Sequence, residues 1–574
     1  MTIRLVTSTD VKTITPITNP TWVKSKANPS SETGTALKPG DEIKADVASK
    51  ATTIDFSTST VDNTIDASAS TTVKAITGGK GYDVIIGSST VKSTLTAGAG
   101  GSDMTGGAGD DKLIGAAGDD NLSGGAGKNT LTGGAGNNTF FSYGTDKITD
   151  LTSGDDLYVG STGVATATVT GDFVANSATS NDGKAIINAA GGKTVNLAHA
   201  GHRLNGFTVN ADKTGSTLIG SSNADSLVGA AGNDSITGGI GNTLTGGKGD
   251  DTFNIVVANN TITDLGVGSD VLIVTTGITV TATSPKGFTA TTATTVDGIA
   301  NISGVKTLDV TAAQGAGTIN LTGSAGKDTL AGSSVTATSL TGGDGTDKFV
   351  INGTHNTITD FGKGGDDLVV NASASISVAV TADWAASKVT ANNGTATFTT
   401  LASNVDLTKA IGPNGFTVDA HLSTKGLALT GGASGATIIG GTGADTITGG
   451  TGVNVLTGGA GADTFVFAKG NVLGNTTITD FVSGTDILDI SAKATKGLTA
   501  GTTYAVNDHV VTVTTGTVAK PVYATAAQFV YDSTTGNLSF EAASTKAPAS
   551  LTAPVLIEIL GSHPALVGSD IHII

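Results

Sequence analysis

The residues of this chain best placed to do chemistry are aspartates that recur at a fixed short period. From Gly106 to Phe141 the sequence reads GGAGDDKLI, GAAGDDNLS, GGAGKNTLT, GGAGNNTFF. Each nine-residue unit offers glycines at places one and four and, except for Ala116 in the second unit, at place two, with Asp or Asn at place six and an apolar residue at place eight. Glycines at those places permit the positive φ angles of a tight turn, in which backbone carbonyls and the place-six carboxylate converge on one cation. Ligands that are all oxygens, numerous and flexibly arranged, suit calcium better than zinc or magnesium, and the chain has no Cys and the repeats no His. In this first block the expected ligand positions are Gly107, Gly109 and Asp111; Gly118 and Asp120; Gly125, Gly127 and Asn129; and Gly134, Gly136 and Asn138.

The signature returns along the chain. A forerunner, GGKGYDVII, supplies Gly79, Gly81 and Asp83. Block two supplies Asp225, Gly232, Asp234, Gly247, Gly249 and Asp251, with a shortened unit from Gly238. Block three keeps Gly326 and Asp328, then Gly343, Gly345 and Asp347. Block four has Gly441, Gly443 and Asp445; Gly450, Gly452 and Asn454; and Gly459, Gly461 and Asp463. A flexible glycine-rich linker explains the glycines but not an Asp at one phase and an apolar residue at another. Asn129, Asn138 and Asn454 bring an oxygen without charge, either as weak ligands or as partners of the turn backbone.

What must position these turns is a stack of short strands. A fixed short period implies a solenoid, in which each unit buries its apolar residue only against the next. The last three residues of a unit form a strand whose middle residue points inward, here Leu113, Leu122, Leu131 and Phe140. The final unit of each block carries Phe140, Phe253, Phe349 or Phe465 at that place. A second motif of type I-T-D then follows, in DKITDLTSGDDLYV, NTITDLGVGSDVLIV, NTITDFGKGGDDLVV and TTITDFVSGTDILDI, and reads as a cap. Its Asp150, Asp264, Asp360 and Asp480 either bond turn and strand ends or bind calcium. Between blocks lie Thr-, Val-, Ala- and Ile-rich segments, such as GITVTATSPKGFTATTATTVDGIANI, which read as further coils or small sandwiches.

The expected fold is therefore all-β, a parallel β-roll or β-helix solenoid of calcium-binding nonapeptides in four blocks with intervening β-rich segments. The expected division is 1–75, a weakly ordered or anchoring segment that includes Trp22; 76–160, block one and its cap; 161–275, 276–371 and 372–491, each a β segment with a block and cap; and 492–574, a C-terminal β region.

Composition narrows the function. Among 48 acidic residues only Glu32, Glu42, Glu541 and Glu558 are Glu, a bias that suits short carboxylates held inside turns. A net charge of -17, with Arg4 and Arg203 the only arginines, excludes a nucleic-acid partner and disfavours anionic membranes. No stretch approaches the ~18 apolar residues of a membrane span. The N-terminal MTIRLVTSTDVKTITP lacks the apolar core of a cleaved signal peptide. HExxH, G-x-S-x-G and a Cys nucleophile are all missing, and His199 and His202 sit among Gly and Asn as a solvated loop. The expectation is a protein without enzymatic activity. At dissociation constants of about 10⁻⁴ to 10⁻³ M in roughly millimolar calcium, one ion adds only ~0.4 to 1.4 kcal/mol, so folding is governed by many coupled sites.

The GGxGxD units resemble the RTX (repeats-in-toxin, hemolysin-type) calcium-binding family. That resemblance implies a β-roll with ions between successive turns and export from a Gram-negative bacterium through a type I secretion apparatus, guided by an uncleaved C-terminal signal. The tail fits: AQFVYDSTTGNLSFEA from Ala527 resembles the family's C-terminal strand-turn-strand, and PVLIEILGSHPALVGSDIHII from Pro554 resembles its terminal signal. Spread of the blocks over most of the chain leaves little room for a separate catalytic domain. The sequence is most similar to a surface-layer or extracellular matrix protein that assembles with itself or with a cell-surface glycan. An adhesin or a glycan- or ice-binding solenoid is the competing reading, and it needs a regular row of exposed Thr or aromatics; the variable places of the blocks show no constant T-x-T. A secreted enzyme with a cryptic site ranks last.

Overall fold

A computed structural model describes residues 2–5, 13–14, 42–45, 52–201, 203–467, 475–491, 510–513, 528–541, 555–562, 564–566 and 569–573. Trp22, most of the expected N-terminal segment, His202 and part of the expected terminal signal lie outside them. Among the described residues there is strand, turn and bend but no helix, and so no helix long and apolar enough to cross a membrane. The chain divides into two compact units, Met1–Pro285 with Asp297–Ala300, and Lys286–Val296 with Asn301–Ile574.

The first unit is a parallel β-solenoid. Alternation of side chains along a strand sends place eight inward and places seven and nine outward. Because successive units fall on opposite faces, the residue above a given leucine is 18 positions away, as in Leu95, Leu113 and Leu131. One face stacks Ile54, Ile76, Leu95, Leu113, Leu131 and Ile148 in register. The facing sheet stacks Ile65, Ile85, Met104, Leu122, Phe140 and Leu157. All are fully buried. Truncating one such leucine to Ala costs ~2 to 5 kcal/mol, because the stack above and below cannot close over the gap.

The segment after block one continues the winding instead of forming a sandwich. Val164–Val169 pairs in parallel with Lys184–Ala189, and that strand with Phe207–Ala211, on longer coils that place Ala167, Ile187 and Val209 on the same inward line. The second unit repeats the design: Leu308, Leu330, Phe349 and Leu368 on one face, and Phe398, Val418, Ile438, Leu456 and Ile478 on another. Its wider coils after block three are filled by rings, with Trp384 4.9 Å from Phe398 and Phe398 5.5 Å from Phe416. Among the described strands, antiparallel pairing is confined to the C-terminal region, where Gln528–Asp532 forms a hairpin with Asn537–Glu541 and Val555–Leu560 adds beside it. Val555–Leu560 and Ile571–Ile573 then lie parallel to Thr476–Ile478 and Ile487–Ile490, the last strands of block four.

Candidate metal centre

Every nonapeptide turn lies at an edge of the solenoid, where the chain passes from one face to the other. The place-six side chain folds back under its own turn and is buried: Asp111, Asp120, Asp234, Asp251, Asp347 and Asp463 are all at most 2 % exposed. Place one provides the room. A methyl group added at Gly115 would run into Asp120 Oδ2 and the carbonyl of Gly133, and one at Gly229 would meet Asp234 Oδ2 and the carbonyl of Gly246. Place-four glycines stack as closely, so that a methyl at Gly127, Gly136, Gly249, Gly345 or Gly461 would strike the place-four carbonyl of the turn before. Glycine there is required by the neighbouring turn as much as by its own.

A ladder of hydrogen bonds joins turns on one edge. The backbone N–H at place six donates to the place-six oxygen one coil later: Asp111 to Asn129 (2.8 Å), Asp120 to Asn138 (3.0 Å), Asp234 to Asp251 (2.8 Å), Asp328 to Asp347 (2.9 Å) and Asp445 to Asp463 (2.8 Å). An outer ladder runs beside it through place five, where Lys128 N–H donates to Asp110 (2.8 Å) and Asn137 N–H to Asp119 (2.7 Å).

The second oxygen distinguishes three kinds of turn. In the first turn of the set, Asp83, Asp225, Asp328 and Asp445 accept through Oδ2 from their own place-two N–H: Gly79 (2.6 Å), Ser221 (2.5 Å), Ser324 (2.6 Å) and Gly441 (2.8 Å). In two of the three Asn turns the amide finds a partner, whereas Asn138 Nδ2 is buried without one. Asn454 Nδ2 donates to Gly452 O (2.9 Å), and Asn129 Nδ2 to Asp146 Oδ1 (2.7 Å). In the remaining turns Oδ2 of Asp111, Asp120, Asp234, Asp251, Asp347 and Asp463 is buried with no hydrogen-bond partner. There the place-two residue has a positive φ, from 73° at Ala230 to 126° at Gly107, which turns its N–H away from the carboxylate.

Bare buried carboxylate oxygens are costly unless a proton or a cation joins them. Burial pushes Asp120 up to about 8, Asp251 to about 7, and Asp234 and Asp463 to about 6. Burial likewise raises Asp111 and Asp347, and it raises the closing Asp366 to about 6. No three His, Cys, Asp or Glu side chains converge among the described residues. A cation in these turns would instead be held by a carboxylate and the carbonyls around it, an all-oxygen set that suits calcium. The amide of Asn454 already donates to such a carbonyl where Asp is absent. The donor set therefore fits calcium.

The motif read as a cap covers no open end: Thr145–Leu151 pairs with Lys128–Thr132 on one side and Val164–Val169 on the other, and Asn260–Ile262 likewise pairs on both sides, so the winding runs on past each block while the motif's Asp ties the last turns. Asp150 accepts the N–H groups of Gly133 (2.9 Å) and Gly134 (2.7 Å), and Asp264, Asp360 and Asp480 do the same to the place-one and place-two N–H groups above them. The closing loops also contain place-six equivalents that period-nine reading passes over: Asp155, Asp270, Asp366 and Asp486 accept from Asn138, Asp251, Asp347 and Asp463. The Asp that follows the glycine in TSGDD, GVGSD, GKGGD and VSGTD marks them in sequence. Asp146, read above as the start of a cap strand, is a further place-six equivalent, and its Oδ2 is bare. His199 stands exposed in a turn.

The family model of the RTX calcium-binding nonapeptide repeat matches in four copies, over residues 105–140, 219–253 and 430–471. The chain carries RTX repeats. The matched spans take in blocks one, two and four, and the block-three RTX turn at Asp347 shares their geometry although it lies outside them. No curated protein matches the chain.

Proposed function

We propose that this RTX chain is an exported structural protein of a Gram-negative cell surface, of surface-layer or matrix type, which folds when calcium reaches its turns outside the cell. The observation that carries the reading is the set of bare, buried carboxylate oxygens along the solenoid edges. They make the folded chain depend on an ion that is scarce in a cytosol and abundant outside it. Placement of the metal ligands among the repeat positions named above, and the division into four modules, belong to the same proposal. Support for a structural role over catalysis comes from the inter-block segments, which continue the winding as further coils in place of a separate globular body. Export would use a type I apparatus and the C-terminal stretch.

Two measurements test this. Circular dichroism should show coil in excess chelator and β structure on addition of millimolar calcium; a β-rich spectrum in chelator at neutral pH sinks the calcium dependence. Electron microscopy of concentrated calcium-loaded protein should show ordered sheets, and persistent monomers would defeat the structural role.

One observation favours the adhesive alternative. The register collects T-x-T pairs that are scattered in sequence: Thr243, Thr261 and Thr281 form one exposed row on adjacent strands, and Thr245 Oγ1 lies 2.7 Å from Thr263 Oγ1. The row passes to Ser226 and Val228 on the next strand, which ends the threonine surface on that side. Binding of the calcium-loaded chain to ice or to an insoluble polysaccharide, abolished by Thr261→Lys, would support that role.

A further inference from the structure

We infer that calcium occupies only the open turns, those of Asp111, Asp120, Asp234, Asp251, Asp347 and Asp463, and that the opening aspartates Asp83, Asp225, Asp328 and Asp445 are hydrogen-bonded brackets that hold no ion. This rests on the calcium-folding reading above and sharpens it.

The argument is one of donors and acceptors. A calcium ion needs oxygen lone pairs turned toward it. In a bracket turn one carboxylate oxygen accepts from the preceding coil and the other from place two of its own loop. At Asp445 these donors are Leu427 N–H (2.8 Å) and Gly441 N–H (2.8 Å). Two N–H dipoles then point their positive ends into the space a cation would enter. At Asp328 the donors are Lys306 N–H (2.5 Å), Ser324 N–H (2.6 Å) and Ser324 Oγ (2.8 Å). The carboxylate is already satisfied, and an ion would have to break those bonds to bind.

Place two is the determinant. It has a positive φ in every open turn, at Gly107, Ala116, Ala230, Gly247, Gly343 and Gly459, and in none of the bracket turns. Two open turns reach that angle with alanine, at φ 75° and 73°, a conformation that L residues avoid and that costs ~1 to 2 kcal/mol. Motif quality is therefore a poor guide to occupancy. GGTGAD at Gly440 matches the consensus in full and is a bracket, whereas GAAGDD at Gly115 departs from it and is open. In the turns of Asn129 and Asn454 an amide N–H stands where the ion would. Asp146, whose Oδ1 takes the Asn129 amide, keeps a bare Oδ2 but has no positive φ at Ser142, its place-two equivalent, and is counted apart from the six. Calcium is thereby divided unequally: two open turns each in blocks one and two, one each in blocks three and four.

The test is an ion count on the full chain. Bound calcium is measured by flow dialysis for wild type and for Asp120→Asn, Asp251→Asn, Asp328→Asn and Asp445→Asn, with dichroism to confirm folding. The first two variants should each lose one ion, and the last two should keep the wild-type count while melting earlier. Loss of an ion in Asp328→Asn or Asp445→Asn, or no loss in Asp120→Asn or Asp251→Asn, overturns the assignment. Should a variant fail to fold, anomalous diffraction from wild-type crystals grown in calcium decides, because a peak beside Asp445 or Asp328 refutes the bracket role directly. A chain that binds no calcium at all would instead defeat the functional reading on which the assignment rests.

Discussion

The turns at Asp120 and Asp445 look alike in sequence and behave oppositely in structure. Both aspartates are buried and both sit at place six of a glycine-rich nonapeptide on a solenoid edge. Asp445 is the anchor of its turn, each oxygen held by an N–H. Asp120 is its liability, with a buried oxygen that nothing in the protein satisfies. The difference lies in one backbone angle four residues earlier, positive at Ala116 and not at Gly441. A repeat thus separates into turns whose carboxylate the protein itself satisfies and turns whose carboxylate it leaves bare. Charge alone does not tell them apart.

The largest test of that contrast is pH. Burial sets the folded-state values of Asp120 (about 8), Asp251 (about 7), Asp234 (about 6) and Asp463 (about 6) above the ordinary carboxylate value near 3.9. A raised value means that the folded chain binds protons more tightly than the unfolded chain. In chelator, stability should accordingly rise as pH falls from about 8 toward 4 and be lost again as pH returns. With calcium the sign reverses, because protons compete with the ion, and the half-saturating calcium concentration should increase below about pH 6. Denaturant titrations at several pH values, with and without calcium, check both arms; a chelated chain that weakens steadily from pH 8 to 5 contradicts them.

Substitution separates the two aspartates directly. Asp445→Ala leaves the N–H groups of Leu427 and Gly441 unpaired and should cost ~2 to 4 kcal/mol with calcium and without it. Asp120→Asn should destabilise the calcium-loaded chain and stabilise the chelated one. Equal signs for Asp120→Asn in the two conditions would erase the distinction.

A gain of function sharpens it further. The place-two residue of the Asn454 turn, Gly450, already has a φ of 97°. Asn454→Asp should therefore convert an amide-latched turn into an open one, adding one ion to the calcium count and making block four more sensitive to chelation. An unchanged count would show that place-two conformation is insufficient. The smallest expected effect is at Ala116, where Ala116→Gly relieves a left-handed alanine and should add ~1 kcal/mol without altering the number of ions. Thermal melting in calcium would detect it.

Much of this was legible from period nine. The inward column, the four buried phenylalanines and the turn hydrogen bonds of Asp150, Asp264, Asp360 and Asp480 follow from residue type and phase, whereas the expected end-cap does not hold, because the winding runs on. Two things were not. The inter-block segments join the solenoid on coils of other lengths, so no fixed repeat announces them. Bracket and open aspartates differ through the φ angle at place two and through whether that residue's N–H reaches Oδ2, and residue type does not announce it, since glycine stands at place two in both kinds. Asp155, Asp270, Asp366 and Asp486 were hidden because their partners lie 17, 19, 19 and 23 residues back.

If calcium binds as proposed, the division of labour along the solenoid would also make it a regulator of length. A folded coil of 18 residues, the spacing from Leu113 to Leu131, advances the stack by one inter-strand step of about 4.8 Å. The same residues released as open chain reach up to ~60 Å. Wide coils such as those of Val164–Val169 and Lys184–Ala189 contain no bare carboxylate, so release would begin in the blocks beside them and reach the wide coils last. A coat woven from such chains would slacken where calcium runs low and draw tight again when it returns, with the open turns setting how much thread each block can give.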